Sequence, residues 1–209
     1  MTANLLPVAG VWFWNWSPKE VFMVYALETV IIGLFTLIKI GITTSVRKTD
    51  IWYNGANRTN QPGLFFMLFF LVHYGMFVAI QTGLFIQVSG IGKSSHRGFF
   101  DFFIHWPSYL GPDAYYMLAG FIISYGFSMY CNFLRTRQYR TISLMQLMFQ
   151  PYGRIFIQQV TVILGSMFLN FGAGKIFILI FAAVKIFFEV FVNYEGILNK
   201  TMDDLKKTQ

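Results

Sequence analysis

Long apolar runs separated by short polar stretches set the pattern of this chain. Residues 17–44, 62–90, 113–134, 148–171 and 175–198 are each mainly apolar and each about as long as a helix that crosses a bilayer. Such a helix needs roughly 20 residues to cover ~30 Å of hydrocarbon at ~1.5 Å per residue. Residues 4–16 are apolar too, but only 13 long, and they end on Trp12, Trp14 and Trp16. They read as a short tilted span or a re-entrant segment, with the tryptophans at the membrane interface. The pattern predicts an all-α protein, a polytopic transmembrane helix bundle of about six spans that forms one domain over residues 1–209. Residues 91–112 mix Phe99, Phe100, Phe102, Phe103, Trp106 and Tyr109 with Lys93, Arg97, Asp101 and His105, the composition of a segment lying on the membrane surface.

The ends of the runs carry recognisable punctuation. Ser17-Pro18-Lys19-Glu20 offers an N-cap, a proline at the first helical position and an acid placed to close a capping box. Residues 45–61, with Arg47, Lys48, Asp50, Asn54, Asn57, Arg58, Asn60 and Gln61, read as a polar, turn-rich connection. The start of the fifth run is broken by Gln150, Pro151, Gly153 and Arg154. An interrupted helix at membrane depth survives only where protein or a water-filled cavity covers it.

Composition agrees with this class: of 209 residues 56% are hydrophobic and 12% charged, against roughly a quarter charged in soluble domains. The net charge of +7 reports loop orientation and anionic headgroups, and nucleic acid is not an expected partner. Arg47, Lys48, Arg58, Arg135, Arg137, Arg140, Arg154, Lys200, Lys206 and Lys207 gather on one side, against Lys19, Lys93, Arg97 and Lys175 on the other. The positive-inside rule then puts the C-terminus in the cytoplasm and the protein in a prokaryotic cytoplasmic membrane as a multi-pass protein. Cys131 is the single cysteine, so neither a disulfide nor a cysteine metal site is available.

Counted from the span ends, Glu28, His73 and Lys185 fall near one level, with Gln158 and Gln159 close to it and Glu189 one turn away on the face of Lys185. A charge at the bilayer centre costs ~2.5–3.5 kcal/mol on insertion scales, so these groups should face inward and pair. The expectation is a buried polar cluster of Glu28, His73, Lys185, Glu189, Gln158 and Gln159 that handles an ion or a proton, or else fixes helix register. Arg154 and Arg97 are candidates for lipid headgroups. One histidine at this depth makes His73 a weak metal or haem candidate, so no metal site is expected and the cofactor stays unassigned. No phosphate-binding loop, zinc-protease helix, nucleophile elbow or Cys-x-x-Cys motif occurs.

Several pieces carry a resemblance: Asn4-Leu5-Leu6-Pro7, Tyr25-x-x-Glu28 with Gly33, Phe69-x-x-x-His73-Tyr74-Gly75-x-Phe77, and Pro151-Tyr152-x-Arg154-Ile155. With a final run holding Lys185 and an acid, the chain resembles an uncharacterised group of prokaryotic multi-pass membrane proteins, a domain of unknown function. The resemblance implies location and fold class, and further histidines near Gln81 and Gln158 or Gln159 in relatives. Three readings of function follow. The first is ion- or proton-coupled transport of a small solute through the polar cluster. The second is a non-catalytic accessory subunit or assembly factor of a larger membrane complex, or a homo-oligomer. The third is a membrane enzyme acting on a lipid-like substrate; the small size and minimal loops favour an accessory or oligomeric component over a self-sufficient enzyme or an alternating-access carrier.

Overall fold

The computed structural model describes residues 10–54, 57–89, 104–157, 159–160, 176, 179–180, 182–184, 186–187 and 194–207. The chain is mainly helical. Helix α1 runs from Pro18 to Val46, hairpin strands β1 (Thr49–Asn54) and β2 (Asn57–Pro62) follow, and α2 spans Gly63–Ser89. Helix α3 runs over Pro112–Met129 and continues as a π turn at Tyr130–Leu134. Short α4 covers Leu144–Phe149, and α5 covers Tyr194–Lys207.

Among the described residues three helices are long and apolar enough to cross a membrane, over Met23–Val46, Gly63–Leu84 and Pro112–Leu134. The other three expected spans are not among them. Residues 1–9 and most of 161–193 lie outside the described residues, and so does most of the interfacial segment 91–112. Within 4–16 the described part is helical over residues 10–13 and then turns. Trp14 and Trp16 both donate backbone N–H bonds to the Gly10 carbonyl, and Asn15 takes a left-handed φ of 57°. Asparagine tolerates that conformation better than most residues.

The strictly all-α expectation needs one correction, because residues 49–62 form an antiparallel hairpin with Thr49 opposite Pro62 and Asn54 opposite Asn57. The reason is local. Ile51, Trp52 and Tyr53 are β-formers in a row, and Asn54-Gly55 is a strong hairpin signal between them and the returning strand. Trp52 lies against Phe65, Phe66 and Phe69 of α2, with ring centroids 5.3, 5.9 and 5.2 Å away. That contact anchors the hairpin to the helix it precedes.

Two compact units emerge, one of residues 1–29, 77–120 and 155–192, the other of 30–76, 121–154 and 193–209. In the first, the Glu20 carboxylate accepts a hydrogen bond from the Gly111 backbone N–H at 3.2 Å, so it caps the entry to α3 rather than its own helix. In the second, Tyr74 lies against the backbone of Gly33, Met67 approaches Gly41, and Thr44 approaches Gly63. The descending numbers on α2 show that it runs antiparallel to α1. Phe35 backs onto Gly126 and Tyr125 of α3, and Lys39 lies over the Phe133 ring at 5.8 Å. Here both numbers rise together, so α1 and α3 run parallel.

A polar node closes the hairpin end of the second unit. Arg47 donates to the Ile142 carbonyl at 2.7 Å and to Asp50 at 3.0 Å. Asp50, 8% exposed, also accepts from the backbone N–H groups of Ile51 at 2.8 Å and Leu144 at 2.7 Å. One carboxylate therefore ties the end of α1, the hairpin and the first turn of α4 together.

Candidate functional site

Glu28 lies in the longest uninterrupted run of buried positions among the described residues. Residues 23–29 are buried without interruption, and at 100° per residue seven consecutive positions cover every face of a helix. A helix segment apolar and buried all round is surrounded by other elements. Glu28 is 4% exposed within it. It lies four residues, about 6 Å, from the midpoint of α1, on the row that carries Glu20 and Val24 toward the start of α3.

Other polar side chains are buried in the same unit. The Thr29 hydroxyl donates to the Tyr25 carbonyl at 3.3 Å, which satisfies it within its own helix. Gln81 is 1% exposed, and neither its amide N–H group nor its carbonyl oxygen has a hydrogen-bond partner among the described residues. An unsatisfied buried amide costs about 1–3 kcal/mol, so Gln81 is an expensive choice for a position that Leu would fill. A cleft lined by Trp16, Glu20, Val21, Val24, Asp113, Ala114 and Met117 opens nearby along α1; it has room for about one water molecule.

His73 belongs to the second unit and sits in an aromatic cluster. It stacks on Phe69, with centroids 5.3 Å apart and planes at 14°, and meets Tyr152 at 5.5 Å. Tyr152 in turn meets Phe70, Tyr74 and Phe149. The chain approaches closely here: a methyl group on Gly153 would lie 2.5 Å from the Tyr194 ring. The Tyr194 phenol donates to the Phe149 carbonyl at 3.0 Å.

Of the remaining expected residues, Arg154 is exposed and donates to the Tyr125 hydroxyl at 3.1 Å, with its guanidinium 5.9 Å from the same ring. Gln159 is half-buried. Gln158, Lys185, Glu189 and Arg97 lie outside the described residues. Among the described residues no group of three or more His, Cys, Asp or Glu side chains could hold a metal ion. Sequence reasoning passed over Asp50, Gln81 as an orphaned amide, and Lys39. Asp50 reads as one more polar loop residue, and a lysine near a span end is readily excused as snorkelling to the interface.

Fold and site together define a mainly helical chain with, among the described residues, three membrane-length apolar helices and a carboxylate enclosed in one of them. The chain belongs to the family of unknown function DUF6498, which it matches over residues 1–207. No curated protein and no solved structure matches it.

Proposed function

We propose that this is a multi-pass membrane protein of a prokaryotic cytoplasmic membrane, of about six spans with its C-terminus in the cytoplasm. In this reading Glu28 takes up and releases a proton or a small cation during transport of a small solute. One observation carries the reading: a carboxylate 4% exposed lies in a helix segment buried on all faces. An acid there costs several kcal/mol and is a functional group by default in a membrane helix. The orphaned amide of Gln81 in the same unit supports it, because a second costly polar group is kept where apolar packing was available.

The test is flux in proteoliposomes containing the full chain, driven by a proton or sodium gradient. Glu28→Gln keeps the shape and removes the charge, and flux is expected to fall to the level of empty vesicles. Undiminished flux in Glu28→Gln ends the reading.

The enclosure of residues 23–29, with a cleft no larger than one water beside it, also fits an accessory subunit in which Glu28 fixes helix register. That alternative expects a stoichiometric partner on purification in mild detergent, and no flux from the wild-type chain alone.

A further inference from the structure

The second compact unit gathers cations at one end. The apolar stretches Met23–Val46 and Pro112–Leu134 finish there, and Gly63–Leu84 starts there. The Arg47 bond to the Ile142 carbonyl at 2.7 Å joins the end of α1 to the chain that leaves α3. Lys48 follows Arg47 and Arg140 stands two residues before Ile142, so the two flank that bond. Arg135 and Arg137 are the first and third residues past Leu134. Lys48, Arg135, Arg137 and Arg140 are all exposed.

These four cations make no ion pair among the described residues. Asp50 is buried and committed to Arg47 and to the backbone N–H groups of Ile51 and Leu144. Residues 30–76 and 121–154 contain no other Asp or Glu. The turn that carries the three arginines is held by its own backbone. The Arg137 carbonyl accepts from the Arg140 N–H at 3.0 Å, and the Gln138 carbonyl accepts from those of Thr141 and Ile142, each at 3.0 Å. Arg137 also takes a left-handed φ of 56°, which glycine or asparagine adopts more easily. Backbone geometry therefore does not account for an arginine there.

We infer that this surface binds the phosphate groups of anionic phospholipid in the leaflet it faces. Cations one to six residues beyond the ends of apolar stretches stand at headgroup level, where each Lys or Arg adds attraction to anionic lipid. Guanidiniums offer paired N–H groups that fit a phosphate. Trp52 and Tyr139, both half-buried at this end, carry the amphipathic rings that favour the same level. The inference rests on the membrane reading given above and is independent of Glu28.

The experiment uses the full chain. It is first reconstituted into vesicles of phosphatidylcholine alone, and its retention there through an alkaline wash is recorded. In neutral detergent, phosphatidylglycerol and phosphatidylcholine then compete for the chain and are counted by native mass spectrometry at low and high salt. Bound phosphatidylglycerol is expected in excess, and the excess is expected to shrink at high salt. Combining Arg135→Gln, Arg137→Gln and Arg140→Gln is expected to remove the excess, whereas lysine at the same three positions keeps part of it. Lys48→Gln is expected to reduce it about fivefold, the scale for one cation near the membrane surface. If the combined variant does not fold, Arg137→Gln carries the test with the same reduction. A chain that is not retained by phosphatidylcholine vesicles overturns the membrane reading and this proposal with it. A retained chain that binds the two lipids equally, or variants that keep the full excess, overturn this proposal alone. Displacement of phosphatidylglycerol by an equal concentration of inorganic phosphate also overturns it, and assigns the surface to free phosphate.

Discussion

Replacing Asp50 by Ala is expected to destabilise the hairpin end of the protein by about 2–3 kcal/mol, the scale of losing hydrogen bonds to a charged group whose partner Arg47 is itself partly exposed. The carboxylate holds Arg47 at 3.0 Å and two backbone N–H groups at 2.8 and 2.7 Å. Its removal leaves the Leu144 N–H at the start of α4 without an acceptor, and also strips Arg47 of its counter-ion. Asp50→Asn keeps the size but turns an acceptor into a donor toward one of those groups, so it recovers little. Arg47→Met is expected to cost less, because the two amides keep their acceptor. Unfolding of the three variants in mild detergent checks the order. A loss below about 1 kcal/mol for Asp50→Ala, the ordinary net value of one hydrogen bond, would show that the node is not what joins α1, the hairpin and α4.

The second large effect is expected at Gly33. A methyl group there would stand 2.6 Å from Cε1 of Tyr74, closer than side-chain carbons approach. Tyr74 cannot easily swing aside, because it stacks on Phe70 at 4.8 Å and meets Tyr152 edge-on at 6.0 Å. Gly33→Ala therefore has to separate α1 from α2 or displace the aromatic cluster, at about 1–3 kcal/mol as overpacking usually costs. Gly33→Leu is expected to exceed that and to lower the yield of folded protein. The diagnostic is the double variant Gly33→Ala with Tyr74→Leu, which should be more stable than the sum of the two single losses implies, since each change relieves the other. Additive losses would mean that the two residues do not share a contact. Small residues at such positions let membrane helices approach closely, where no hydrophobic driving force acts between them.

These two sites mark what the sequence makes legible. The three long apolar helices are readable because length and hydropathy are summed over more than twenty residues, and Pro18, Pro62 and Pro112 stand at their starts. The hairpin over 49–62 was hidden because its second strand, Asn57-Arg58-Thr59-Asn60-Gln61-Pro62, is wholly polar and carries no alternation; only the Ile51-Trp52-Tyr53 run and Asn54-Gly55 announce it. Glu28 was legible because an acid in an apolar run has a known cost wherever its partners lie. For the expected grouping of Glu28 with His73, counting residues from span ends fixes depth but not direction around the helix. Asp50 was invisible for the opposite reason. Its importance comes from Arg47 and Leu144, the second 94 residues away, and no local pattern encodes that pairing.

The hairpin also has a bearing on the order in which contacts form as the chain is made. The Gly63 N–H donates to the Lys48 carbonyl at 2.9 Å, so α2 begins where α1 has only just ended, and the ladder between them is made by neighbours in sequence. Such local contacts form early in synthesis, when the N-terminal part of a chain organises before the rest. The close of α1 and the start of α2 are accordingly held together by groups within one short stretch of chain, whereas the Asp50 link to Leu144 has to wait for residues 94 positions further on.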